Sequence, residues 1–419
     1  MATAVIPAVI GRHAEEAAFL WVLRDRAVSQ PQFTLRQLAE LDQRVEAHLD
    51  GLRVAADFGW DLCKKTLEEG GAADLFPAAV LAFDSGQEER ARLLLAKGPT
   101  APPRIRALVS ALAWLPYAQV KEYIHNLAGA DQAPLRRAGI AAAAAHRQHP
   151  PFSLSSVLRS SDPFLKARAL KAVGEFGATD VLASLKQQLQ ADNARCRSWA
   201  SWSGVLVYAD PAAHVALQTI AETGRAFAER AADLACRRME PQQANRWRKR
   251  LAELPNKRPA VRVAGAAGDP DAVPWLIERM RVPALARIAG EAFTLVTGAD
   301  LAEQKLEGNK PEGFEAGPND NPEDDNVALD PDDNLPWPDA EGVGQWWAKH
   351  RAGFAKGKRY LLGKPLGPEA IHHALCIGRQ RQRAAAALEL ALSKRGQPLF
   401  EVRAPGFRQQ AMLAHNPHP

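Results

Sequence analysis

The residues best spaced for chemistry in this 419-residue chain are Asp330, Asp332, Asn334 and Glu341, at positions 1, 3, 5 and 12 of a twelve-residue window. An EF-hand loop coordinates calcium through oxygen ligands at those positions and needs glycine at the sixth for its sharp turn. Here the sixth residue is Leu335 and prolines stand at 336 and 338, so the window reads as a solvated acidic linker. His372 and His373 are adjacent, which on a helix turns their rings about 100° apart and makes them a poor metal pair. No HExxH occurs, and Cys63, Cys196, Cys236 and Cys376 lack CxxC spacing, which suits buried free thiols in a reducing compartment. "SWASWSG" holds serines without a GxSxG elbow, and its Trp199 and Trp202 read as wedges between helices. The expectation is a chain with no catalytic, cofactor or metal-binding residues, and therefore not an enzyme.

What remains is chemistry suited to partners, carried by six residues: Trp337, Trp346, Trp347, Arg379, Arg381 and Arg383. Trp337 lies between Pro336 and Pro338 at the end of an acidic run, where fixed backbone and a large aromatic could anchor an otherwise solvated strand in a groove. Trp346 and Trp347 are consecutive, so both cannot sit at the centre of one buried stripe. One belongs in the core and the other against a neighbouring element or a partner. The three arginines could receive carboxylates or phosphates, and this chain's own acidic segment is their simplest partner.

That segment is well marked. Residues 311 to 345 hold eleven acidic residues and no Lys or Arg, and 302 to 341 contain six prolines. Such a composition buries too little apolar surface to offset its ordering entropy, so it is expected to be mobile or draped over the rest. Whole-chain net charge is +5, and setting aside those eleven negative charges leaves +16 on the remainder. The folded body is therefore basic, and the acidic strand is its natural intramolecular partner.

The elements that would position these residues are helices. Turn signals recur at Asp180, Asp210, Glu240, Asp269 and Asp300, close to one every thirty residues. Each period holds two amphipathic stripes, as in Leu165, Ala169, Ala172, Val173 and Phe176 followed by Val181, Leu182, Leu185 and Leu189, with Asp180 placed to cap the second. In the next period the second stripe runs through Val215 and Ile220. A single hairpin cannot bury its apolar face, so stacked neighbours must supply the core. The fold class is all-α, an α-solenoid of HEAT-like hairpins. It divides into an N-terminal helical cap (1–70), the repeat array (71–301), the acidic Pro-rich segment (302–341) and a small C-terminal helical unit (342–419). In that unit Ala384, Ala387, Leu388, Ala391 and Leu392 form the buried face, while Arg379 and Arg383 share another. No secretory signal and no uncharged stretch of about 18 apolar residues is evident, so the expected setting is cytoplasmic, without membrane insertion.

The stretches "GDPDAVPWLIERM", "ARIAGEAFTLVTGADL", "LPWPD", "RYLLGKPL", "GRQRQRAAAALELAL" and "PLFEVRAPGFRQ" resemble a HEAT-repeat protein family of Gram-negative bacteria often encoded within type VI secretion gene clusters. The resemblance covers nearly the whole chain and is strongest from Gly268 onward. It brings no catalytic residue. It implies an accessory role in secretion, as an adaptor for an effector or spike-tip protein. The leading expectation is a non-enzymatic protein-protein interaction scaffold. The alternatives are a nucleic-acid-binding solenoid, argued against by basic residues spread along the chain, and a HEAT-repeat enzyme with an unrecognised site.

Overall fold

The computed structural model describes residues 6–97, 101–317 and 329–415. Within them the chain is all-α and solenoid-like, with twenty-two α-helices and one two-stranded ribbon. Helices α1 (Pro7–Ala27), α2 (Leu35–Val54) and α3 (Ala56–Glu69) pack together at the N-terminus against α4 (Leu75–Asp84). An inner layer then stacks α4, α6 (Pro102–Trp114), α8 (Ala133–Ala145), α10 (Pro163–Phe176), α12 (Ala194–Ser203), α14 (Ala228–Cys236), α16 (Arg258–Ala266) and α18 (Pro283–Thr297) side by side. An outer layer returns the chain between them through α5 (Glu88–Ala96), α7 (Tyr117–Gly129), α9 (Leu154–Leu158), α11 (Leu182–Gln187), α13 (Pro211–Glu222), α15 (Pro241–Ala252) and α17 (Val273–Arg279).

Local chemistry explains the start points. Proline occupies the first turn of α6, α8, α10, α13, α15, α16 and α18, where its missing N–H costs nothing. Asp162 and Asp210 cap α10 and α13, their carboxylates accepting from first-turn amides. Asp180 does not act this way: α11 starts one residue later, and Asp180 is exposed, accepting from the Ser153 hydroxyl at 3.3 Å. Val215 departs too, at 61% exposed, because α13 buries Ala213, Leu217 and Ala221 instead. Small residues set the layer spacing. A Cβ on Gly139 would stand 2.2 Å from the Ala128 amide nitrogen, so α7 and α8 cross closely only because this position is bare.

At the C-terminus the described residues 342–415 hold a small core around Leu361, Ile371, Leu375, Ala386 and Leu413, joined by Leu35 of α2, and pack along the array. Helix α19 (Ala340–His350) packs on α17, and the ribbon β1 (Tyr360–Leu361) and β2 (Lys364–Pro365) docks on α18. Helices α20 (Pro368–Ile377), α21 (Gln380–Ser393) and α22 (Gly406–His415) then run as a strap along the C-terminal ends of the inner helices, back to α2. Arginine heads carry much of this contact. Arg408 donates to the carbonyls of Ala113, Trp114 and Leu115, Arg147 to that of Leu399, and Arg359 to those of Ala266, Ala267 and Arg237. Apart from Leu399, which lies between α21 and α22, these are carbonyls that helix ends leave unpaired, at the negative pole of the macrodipole. Arg237 and Arg359 both reach the buried Glu389 of α21. Gly177 ends α10 at φ 68°, and a Cβ there would meet the Gln397 carbonyl at 2.6 Å, so the strap passes directly over it.

Helix α21 is consequently enclosed on nearly all sides. Arg383, Ala385, Ala386, Ala387, Glu389 and Ala391 are buried, while Ala384, Leu388 and Leu392 are only partly so, a rotation of the expected face. No helix among the described residues is long and apolar enough to cross a membrane.

Candidate interaction surface

The six residues singled out by type fall into three environments. Trp346 and Trp347 both turn inward. Trp346 meets Phe293 edge-on and stacks on His350, and Trp347 packs on Phe354. Trp337 lies over the Arg287 guanidinium at 4.5 Å, with Phe314 edge-on to it at 5.3 Å. The three arginines are not one cluster. Arg383 is 0% exposed and points into the core, donating to the Leu375 carbonyl and to the side chains of Gln380 and Gln409. With no carboxylate beside it, burial pulls its pKa down to about 10. It is therefore a structural residue out of reach of a partner, and it shares no face with Arg379, which precedes the helix.

Arg379 and Arg381 do reach a surface, at the place where the array closes. A cleft of about 330 Å³ lies between the loop before α2, helix α18, residues 300–307, the acidic strand and the start of α21, and is lined by Gln32, Thr294, Asp300, Glu307, Arg379 and Arg381. Arg379 pairs with Asp300 at 2.7 Å and Arg381 with Glu291 at 3.1 Å. Burial would raise the Asp300 carboxyl, but Arg379 and the amides of Ala302 and Glu303 outweigh it and hold the group below its ordinary range.

The described part of the acidic segment is docked beside this cleft. Asp332, 3% exposed, takes both guanidinium nitrogens of Arg258, at 2.6 and 2.9 Å, the fork geometry that suits carboxylate. Asp330 pairs with Arg287, and the Pro331 carbonyl accepts from Arg381. Backbone bonds finish the seam: Gly308 donates to the Trp337 carbonyl and Asp339 to that of Leu306. Burial acts to raise the Asp332 carboxyl; Arg258, with Arg262 and Arg381 nearby, overcomes that and lowers it. Two of the four residues at calcium-loop spacing are thus engaged by arginines, while Asn334 and Glu341 are exposed. No group of three metal-capable side chains occurs among the described residues. His372 lies 3.6 Å from the Cys376 sulfur on α20, and Trp199 stacks edge-on to Trp202.

Type-based reading missed what the fold assembles from scattered cations. Each inner helix from α6 to α18 carries Arg or Lys within its first five residues: Arg104, Arg136, Lys166, Arg195, Arg230, Arg258 and Arg287 are one from each. Apart from Glu229 in α14, none of these first turns holds an acidic residue. A cation there adds to the positive pole of the macrodipole and costs each helix a few tenths of a kcal/mol or more. Helix stability therefore does not explain the row, which lies along the N-terminal edge of the inner layer. Its last two positions, Arg258 and Arg287, are the ones that hold Asp332 and Asp330. The middle positions rest on aromatic rings instead. Arg137 and Arg195 approach Phe164 from two sides at 5.8 and 5.9 Å, and Arg230 lies 4.3 Å over Trp199 and 5.7 Å from Phe227. Phe227 holds φ at 74°, a conformation that costs a non-glycine residue about 1 kcal/mol, and it does so immediately before α14. The signal was present in the sequence as arginine spaced at the repeat period just inside each helix start.

No protein-family model matches this chain, and no curated protein matches it.

Proposed function

We propose that the protein is a non-enzymatic scaffold or adaptor that works in the cytoplasm, with an accessory role in type VI secretion as the loader of an effector or spike-tip protein. The observation that carries the scaffold reading is the bracing of the array. A strap bonded to α2, α6, α8, α10, α14 and α18 ties the two ends of a stacked layer together, which favours a stiff surface over a moving catalytic cleft. Rigid stacked helices present large surfaces whose contacts are paid for in little ordering entropy. The secretion context rests on the sequence resemblance alone.

The test is to purify the tagged protein from cells that make a type VI apparatus and to identify what remains bound at moderate salt. A stoichiometric effector or spike component supports the adaptor role. Recovery of the protein alone, from cells in which the apparatus is assembled, contradicts it. Nucleic acid in place of protein moves the second reading, a basic solenoid that binds nucleic acid, ahead; the gathered row of inner-edge arginines is the observation that keeps that reading in view.

A further inference from the structure

Among the described residues, the row of cations on the inner edge is paired with carboxylates at one end and unpaired in its middle, and the paired end shows what the row accepts. There, a turn at 330–335 and the residues after it place a carboxylate in the fork of Arg258, a second carboxylate on Arg287, and an indole over the same Arg287. The strand supplies backbone carbonyls as well, from Pro331 to Arg381 and from Asp332 to Arg287. Acidic residues two apart and an aromatic side chain a few residues on are therefore read by arginines one repeat apart.

Upstream the same components recur without a carboxylate. Arg137, Arg195 and Arg230 make no ion pair among the described residues, and Arg195 and Arg230 are exposed. Phe164 is 55% exposed between Arg137 and Arg195, and Trp199 and Phe227 are half-buried beside Arg230. The two stretches adjoin, because Glu229, next to Arg230, bridges to both Arg258 and Arg262 at 2.8 and 3.1 Å. Cations gathered at helix N-termini repel one another and the helix dipoles until an anion arrives.

We infer that the surface formed by Arg137, Phe164, Arg195, Trp199, Phe227 and Arg230 is a docking site for an acidic peptide segment of a partner protein, one carrying an aromatic residue among its carboxylates. The partner's carboxylates pair with Arg195 and Arg230, and its aromatic ring lies against Phe164 and Trp199, extending over the middle repeats the contact that the chain makes with its own residues 330–337. Peptide is favoured over nucleic acid because the neighbouring stretch is satisfied by a carboxylate fork and main-chain carbonyls, a pattern that a peptide reproduces and a phosphate backbone does not. This deepens the scaffold reading by giving the chemistry of the partner, and it rests on that reading.

The test uses the full chain and a fluorescein-labelled peptide of sequence DPDDNLPWPD, followed by anisotropy at low and at raised salt. Binding is expected to weaken about tenfold or more in Arg195→Glu/Arg230→Glu, the size of losing two desolvated charge contacts. It should fall further as salt is raised above physiological strength and the Debye length shrinks below about 8 Å. Exchanging the peptide's Trp for Ala should cost roughly threefold to fivefold, as a cation–π contact does. Arg137→Ala/Phe164→Ala is a second variant that alters the row from the other side and should shift affinity in the same direction, with circular dichroism verifying both folds. Equal binding by wild type and both folded variants overturns the site. Tighter binding of a single-stranded oligonucleotide of equal charge, lost in the same variants, overturns the choice of peptide. Either failure together with retention of a secretion effector by the intact protein leaves the scaffold reading standing without this site.

Discussion

Replacing Asp332 by Ala removes the residue on which the docking of the acidic strand turns. Its carboxylate is 3% exposed, takes two charged hydrogen bonds from Arg258 at 2.6 and 2.9 Å, and stands 3.9 Å from Arg381. Breaking a buried pair by deleting one partner costs about 3–5 kcal/mol, because the other charge is left buried and unpaired. Arg258 keeps a second carboxylate, Glu229 at 2.8 Å, and its side chain is 19% exposed, so water and Glu229 recover about half. The expected loss is roughly 2 kcal/mol, local to residues 329–339. Hydrogen exchange measures this directly: at about 1.4 kcal/mol per factor of ten, amides in the strand and its seam with 306–308 should exchange about 30 times faster. Asp333→Ala is the control, since Asp333 is exposed and its carboxylate accepts from the Asn334 side chain at 3.5 Å with no arginine pair among the described residues. Equal protection of 329–339 in Asp332→Ala and Asp333→Ala would refute the reasoning.

Three further outcomes follow from other parts of the fold. Burial raises the Glu175 carboxyl, but Arg168, Lys171 and Arg147 outweigh it and hold it down to about 2, so its folded pKa lies below the unfolded value. Its stabilisation is full above about pH 4.5 and lost as pH falls toward 2; urea unfolding should show a decline of roughly 3 kcal/mol over that window, flattened in Glu175→Gln. Burial pushes the Cys63 and Cys236 thiols up to about 12 and raises the buried Cys196 too, whereas Cys376 is half-buried, so under native conditions a maleimide should label Cys376 first and the other three only on unfolding. In Gly406→Ala the new Cβ would meet the Ala39 backbone at 2.6 Å and disturb the Gly406 amide bond to Asp42, also 2.6 Å. The end of the strap should loosen by about 1–3 kcal/mol and become sensitive to limited proteolysis near residue 403.

Much of this was legible along the chain. The thirty-residue period and the stripe of Leu165, Ala169, Val173 and Phe176 mark stacked helices, because periodic burial leaves a periodic pattern. The charge contrast between residues 311–345 and the rest pointed to an acidic segment paired with a basic body, and of that segment the described Asp330 and Asp332 pair with Arg287 and Arg258. The strap was not legible. Helix α21 is rich in alanine, which packs on any side, so its pattern does not say that it is enclosed all round. Arg383 looked like a surface cation because the groups that satisfy it, the Leu375 carbonyl and Gln409, are assembled only when the C-terminal helices fold back. The inner-edge arginines are about one repeat apart in sequence, and only stacking makes neighbours of Arg195 and Arg230.

The measurement that tests the scaffold account most directly compares two immobilised baits, the intact protein and Arg195→Glu/Arg230→Glu, in native cytosol from cells that make the protein, with retained molecules identified by mass spectrometry. The account predicts that the intact bait holds a discrete protein bearing an acidic, aromatic-containing segment, an effector or spike component if the secretion role is right, and that the variant releases it. Retention of no protein by the intact bait, or of nucleic acid alone, would contradict it.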